Sequence, residues 1–200
     1  EEAVPFGTTL LFQSEEQPDF CFAVEICEDL WVPAPPSVRH AQAGALLIAN
    51  LSASNETIGK PQYRRELVTG QSARLLCGYL YADAGDGEST TDMVFSGHSL
   101  IAENGRLLAQ TVPFENALCV TEIDVQMLAR ERMRLNTYTA GGCSEYKTVL
   151  FSSPAVSELV PTRPNNSYPV VPAADRPPQR PRHYNLTIPA PGLRIPPAPS

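Results

Sequence analysis

Apolar and polar positions divide the chain into short alternating blocks. Residues 20–26 (Phe-Cys-Phe-Ala-Val-Glu-Ile) and 45–51 (Ala-Leu-Leu-Ile-Ala-Asn-Leu) are near-continuous apolar runs, the pattern of strands buried on both faces. Residues 8–12, 78–82 and 117–123 read as further strands, and 14–19 as a polar turn. Between the two long runs, Ser37 as N-cap and Gly44 as terminator bound a short predicted helix. Strand, helix and strand in that order predict a βαβ unit with parallel strands. Pro61 opens a second predicted helix, with Tyr63, Leu67, Leu75 and Leu76 as its apolar face. Arg64, Arg65, Glu66, Gln71 and Arg74 are assigned to its solvated side. Glu103-Asn104-Gly105 between the runs 93–101 and 106–110 signals a hairpin, and Asp124 caps a third helix containing Val125, Leu128, Met133 and Leu135.

The pattern fails in the last part of the chain. Twelve of the twenty prolines lie in residues 161–200, where donors are removed and extended, solvated backbone is favoured. The expected organisation is a domain over 1–155 and a Pro-rich, irregular tail or linker over 156–200. The chain has no starting Met and enters a strand almost at once, which is read as a piece of a longer protein.

Composition narrows the function classes. A net charge of −7 with scattered Lys and Arg argues against nucleic acid as a partner. No apolar run is long enough to span a membrane. Cysteines 21, 27, 77, 119 and 143 are odd in number, form no CxxC pair and suit reduced thiols in a cytoplasmic protein. The histidines 40, 98 and 183 lack zinc-ligand spacing, so no metal site is expected, and His98 reads as a structural residue. The glycine-rich acidic stretch 83–92 lacks both EF-hand and phosphate-loop spacing and reads as a loop beside the site.

One constellation carries chemistry. The run 20–26 delivers a thiol, Cys27, into Glu28, Asp29 and a Pro-rich loop, the strand-and-turn arrangement that exposes a nucleophile at a sheet's edge. A core cysteine at a strand end is the alternative. The loop 52–60, small, polar and ending in Lys60, follows the next parallel strand and falls on the same edge. Glu28 and Asp29 oppose thiolate formation by like charge, so an activating base and cation must come from elsewhere.

These residues resemble a known family. The segment from Val24 to Ser37 is similar to the nucleophile region of the glutaminase domain of glutamine-dependent NAD⁺ synthetases, in the nitrilase (carbon–nitrogen hydrolase) superfamily. The likeness continues through Ala49-Asn50-Leu51-Ser52-Ala53-Ser54, Ile58-Gly59-Lys60, Gly87-Glu88-Ser89-Thr90-Thr91-Asp92 and Glu103-Asn104-Gly105, over roughly residues 4–138. It departs beyond about residue 172, where the family continues with a helical entry to a second domain. The resemblance implies part of a four-layer α-β-β-α sandwich, the C-terminal half of the glutaminase domain. Cys27 would be the nucleophile of a Cys-Glu-Lys triad, with Glu28, Ser54 and Lys60 lining the glutamine pocket. The family's Glu and Lys lie N-terminal to the cysteine, outside these residues, so the chain alone is expected to be inactive.

The implied function is hydrolysis of the glutamine amide through a thioester, supplying ammonia for ATP-dependent amidation of deamido-NAD⁺. Its implied partners are L-glutamine, a C-terminal synthetase domain of the same polypeptide and further copies in a homo-oligomer. No cofactor is expected on these residues, since ATP and Mg²⁺ belong to the synthetase domain. A stand-alone nitrilase-type amidase and a non-catalytic interaction fragment are the alternatives.

Overall fold

The computed structural model describes residues 4–85, 87–88, 92–154 and 163. Seven strands form one mixed sheet: β1 (Leu10–Ser14), β2 (Cys21–Ile26), β3 (Leu47–Ser52), β4 (Gly78–Asp83), β5 (Leu100–Glu103), β6 (Arg106–Gln110) and β7 (Lys147–Phe151). Their spatial order is β6-β5-β4-β3-β2-β1-β7. The central strands β2, β3 and β4 are parallel, with Ala23 paired to Ile48 and Ile48 to Tyr79. The first crossover carries α1 (Pro36–Ala43) and the second α2 (Lys60–Leu75). The βαβ unit expected from the apolar runs is present, and a second, β3-α2-β4, follows it.

Register explains which face is covered. Ala23, Ile48, Tyr79 and Ala102 form a cross-strand row and are fully buried with Ala41 of α1 and with Val68 and Leu75 of α2. The neighbouring row Val24, Ala49, Leu80 and Ile101 lies on the other face, and beyond it Ile26 and Leu51 are 64% and 55% exposed. Helices therefore pack one side, and the opposite apolar side is left largely uncovered among the described residues. One α layer on one β layer is one half of the expected sandwich.

At the amino ends of the parallel strands, Cys21 and Cys77 are buried, and desolvation pushes their thiols up to about 11 and about 12. A Cβ at Gly78 would press on the side-chain ends of Leu47 and Ile123, so glycine lets both pack against the start of β4. The third helix, α3 (Val125–Arg134), begins where expected, with Asp124 Oδ1 accepting from the Met127 amide at 2.8 Å. Asn104 and Gly105, both at positive φ, make the tight turn between β5 and β6.

Several sequence expectations need correction. Residues 117–123 are not a strand: the chain leaves the sheet after β6, Pro113 has no donor to continue the ladder, and Leu118 and Val120 are exposed. In 93–99 only a single bridge, Asn55 to Phe95, forms before Gly97 turns the backbone at a φ of 64°. Pro35, not Ser37, is the N-cap of α1; the Ser37 hydroxyl instead accepts from Gln71 Nε2 at 3.0 Å inside the core. The buried side of α2 includes Arg64, Gln71 and Ser72, whereas Tyr63 is exposed. The strand β7 pairs parallel to β1 without any strand having been expected there. The end of the domain at 155, the tail 156–200 apart from Arg163, and Asp86 and Ser89 to Thr91 of the glycine-rich loop lie outside the described residues.

Candidate active site

Because β2, β3 and β4 are parallel, the segments after Ile26, Ser52 and Asp83 emerge at one edge of the sheet. Ligand sites of parallel α/β sheets form at that edge. Cys27 is the first residue past β2 and opens a 3-10 turn, Cys27–Trp31. Its φ is +51°, a left-handed conformation that costs a non-glycine residue about 1–2 kcal/mol. The turn is closed by Asp29, whose Oδ2 accepts from the Ile26 amide at 2.8 Å, and the Cys27 carbonyl accepts from Asn50 Nδ2 at 3.3 Å. Leu30 is buried beneath the turn, while Cys27 itself is only half-buried. A thiol on a strained turn at a strand end is geometrically available in a way that Cys21 and Cys77 are not.

The turn rests on a buried polar row. Glu25, two residues before the thiol, is 2% exposed and accepts from the Ser37 amide at 2.8 Å and from the Tyr79 hydroxyl. Asn50 Nδ2 also reaches the Tyr79 oxygen at 3.3 Å. Burial, reinforced by the Glu25 charge, raises the Tyr79 pKa far above its ordinary value, so the phenol stays a donor.

The second wall is the loop between β3 and α2. Ser54 is buried, and its amide donates to Asp83 Oδ1 at 3.0 Å, tying the loop to the end of β4. The Lys60 amine donates to Asn55 O at 2.6 Å and Asn55 Oδ1 at 2.8 Å and lies 5.3 Å from the centre of the Trp31 ring. That ring closes the Cys27 turn, so Lys60 spans the two segments. Burial, then the nearby Arg64 charge, lowers the Lys60 pKa against the pull of Glu56, Asp83 and Cys27. Glu28 is at the same edge, exposed, beside Cys27. The four residues singled out from sequence, Cys27, Glu28, Ser54 and Lys60, thus belong to one rim.

One buried group at this edge was missed. Arg64, read as solvated, is fully buried one helical turn after Lys60. Its Nη1 donates to Glu56 Oε2 at 3.2 Å and to His98 Nδ1 at 3.0 Å, and its Nη2 lies 3.5 Å from both Asp83 Oδ2 and Ser54 Oγ. Since arginine only donates, His98 Nδ1 is an acceptor and Nε2–H faces Gln110 Oε1 at 3.4 Å. The usable signal was the spacing, because residues four apart on a helix share a face. Among the described residues no cluster of His, Cys, Asp or Glu is arranged to hold a metal ion.

Comparison with known proteins bears on the fold and on kinship. No family model matches the sequence. The chain is 48% identical over 137 residues to a glutamine-dependent NAD(+) synthetase of Mycobacterium tuberculosis, a match covering 68% of this chain and 20% of that protein. It is 34% identical over 114 residues to the human glutamine-dependent NAD(+) synthetase, covering 57% of this chain and 15% of the relative. The chain therefore spans about one fifth or less of the length of these relatives. Its fold is similar to that of Nit3 from Saccharomyces cerevisiae, a member of branch 10 of the nitrilase superfamily, with a TM-score of 0.54, 18% identity and coverage of 67% of this chain and 47% of that one. With its nitrilase-type fold, the chain is homologous to one part of the glutamine-dependent NAD(+) synthetases.

Proposed function

We propose that Cys27 is the nucleophile of a glutaminase site whose rim is formed by Glu28, Ser54 and Lys60. The observation that carries this reading is the left-handed Cys27 at the carboxyl end of a buried parallel strand, on the same edge as the Ser54–Lys60 loop. The thiolate attacks the side-chain amide carbon of L-glutamine, and the resulting tetrahedral intermediate collapses to a γ-glutamyl thioester. The amide nitrogen takes up the thiol proton and leaves as ammonia; water then cleaves the thioester, releasing glutamate and restoring the thiol. The backbone N–H at Cys27 is one donor to the oxyanion, and Lys60 and Ser54 hold the substrate's polar end. The base that moves the proton and the cation that completes the oxyanion site are assigned to a glutamate and a lysine outside these 200 residues. The 200-residue chain by itself is accordingly expected to show no glutamine turnover.

The ammonia would serve ATP-dependent amidation of deamido-NAD⁺ in a further domain of the full-length polypeptide, and no residue of this chain is assigned to that step. The test is Cys27→Ala in that polypeptide. Glutamine-dependent NAD⁺ formation should fall by several orders of magnitude, because covalent catalysis has no substitute at the site. Synthesis from deamido-NAD⁺, ATP and an ammonium salt should continue near the parent rate. Loss of both activities in a folded variant would remove Cys27 from a dedicated glutaminase role.

A further inference from the structure

Arg64 is held by parts of the chain that are otherwise separate: Glu56 and Ser54 from the loop after β3, Asp83 from the end of β4, and His98 from the segment before β5. Glu56 is itself fixed by the Ser96 hydroxyl, and the guanidinium lies 5.8 Å from the centre of the Tyr81 ring. The side chains of Arg64 and Asp83 are both inaccessible to solvent. Arg64 Nε and Asp83 Oδ2 have no hydrogen-bond partner among the described residues, so the cluster is not the most economical way to bury a salt bridge. Well-packed hydrophobic residues in place of the whole cluster often stabilise a core as well or better, whereas these ions tie the loop, α2 and the end of β4 together.

We propose that Arg64 and Asp83 are positioning residues that set Ser54 and Lys60 at the carboxyl edge of the sheet. Asp83 orients the Ser54 amide directly, and Arg64, anchored between Asp83 and Glu56, fixes the start of α2 where Lys60 sits. The assignment of glutamine as what the loop holds rests on the proposed function, but the positioning does not.

Protonation offers a readout that a purely structural ion pair would not give. Burial raises the Asp83 carboxyl to about 6, with Glu56 adding to the rise and the Ser54 amide, Arg64 and Lys60 opposing it. Burial, with the Arg64 charge, lowers the His98 pKa from its ordinary value. Burial also works against ionised Glu56, but the Ser96 hydroxyl and Arg64 outweigh it and hold Glu56 below its usual range. Because the folded pKa of Asp83 is above its unfolded value of 3.8, its ionisation works against global stability as pH rises from about 4 to about 6. The same ionisation strengthens the Ser54 and Arg64 contacts against the cost of burying the charge, so loop order is coupled to the Asp83 titration over that interval.

The experiment has two arms. On the 200-residue chain, amide-exchange protection at Ser54, Asn55 and Glu56 and the Ser54 amide shift are followed between pH 4 and 8 in the parent, Arg64→Lys and Asp83→Asn. Protection in the parent should change with the Asp83 titration, through about pH 6. Arg64→Lys, which keeps the charge and loses the fork, should lower protection about tenfold at neutral pH. In Asp83→Asn the Ser54 titration should vanish. In the full-length polypeptide, Arg64→Lys should raise the KM for L-glutamine about tenfold with kcat changed less than about twofold. If Arg64→Lys fails to fold, the near-isosteric Asp83→Asn and Glu56→Gln carry the same measurements. Unchanged protection in folded variants, or a Ser54 titration that survives Asp83→Asn, overturns the proposal. A parent enzyme that turns over no glutamine refutes the glutaminase reading instead, and the exchange arm still decides the positioning.

Discussion

Among the described residues, Arg132 and Arg64 lie at opposite ends of the same parallel strands, and they are used differently. Arg132 of α3 sits at the amino edge, where its Nε donates to the carbonyls of Leu75 and Leu76 at 3.1 Å each. Its Nη1 reaches the Ala41 carbonyl at 3.4 Å, and its guanidinium lies 5.0 Å from the centre of the Tyr138 ring. These partners are the last carbonyls of α2 and α1, which have no intrahelical donors and carry the negative end of each helix dipole. Arg64 at the carboxyl edge meets two carboxylates, a histidine and a serine instead. The first arginine closes helix ends that any fold of this kind must satisfy, whereas the second gathers loops that the sheet alone leaves free.

The contrast predicts separable consequences. Arg64→Ala should have the largest effect, because it leaves Glu56 and Asp83 buried without their cation, at a cost of about 3–5 kcal/mol by chemical denaturation. A loss below about 1 kcal/mol would mean that water reaches the cluster and the comparison fails. Arg132→Ala should cost about 1–3 kcal/mol through lost bonds to the α1 and α2 carbonyls. Its KM for glutamine in the full-length polypeptide should be that of the parent, and a raised KM would join the two edges energetically. Lys60→Ala should be the mildest for stability, about 1 kcal/mol or less, since it gives up a cation–π contact and two partly exposed hydrogen bonds. Its signature is kinetic instead: KM for glutamine should rise more than kcat falls, as for a group that holds substrate equally in ground and transition states.

Much of the carboxyl edge was legible in the sequence, because continuous apolar runs joined by helices imply parallel strands and parallel strands bring their following loops together. Cys27, Ser54 and Lys60 share a rim for that reason. The hairpin at Asn104-Gly105 was legible because few residues accept its backbone angles. Other features depend on partners remote in sequence. Arg64 looks like a solvated helix charge until His98, 34 positions away, and Asp83 close around it. The strand β7 begins with Lys147 and Thr148 and exists because β1 offers a free edge to pair with. Residues 117–123 have the composition of a strand but no edge beside them, and Ile123 instead packs over Gly78. Local pattern specified the units, and tertiary pairing decided which edges and which polar faces were filled.

The central claim is that Cys27 forms the covalent bond to substrate. The most direct measurement is rapid acid quench of the full-length polypeptide turning over L-glutamine, followed by peptide mass mapping. The account predicts a γ-glutamyl adduct on the peptide carrying Cys27, absent in Cys27→Ala and absent when glutamate replaces glutamine. An adduct on Cys21, Cys77, Cys119 or Cys143, or steady glutamine hydrolysis by the Cys27→Ala protein, would contradict it.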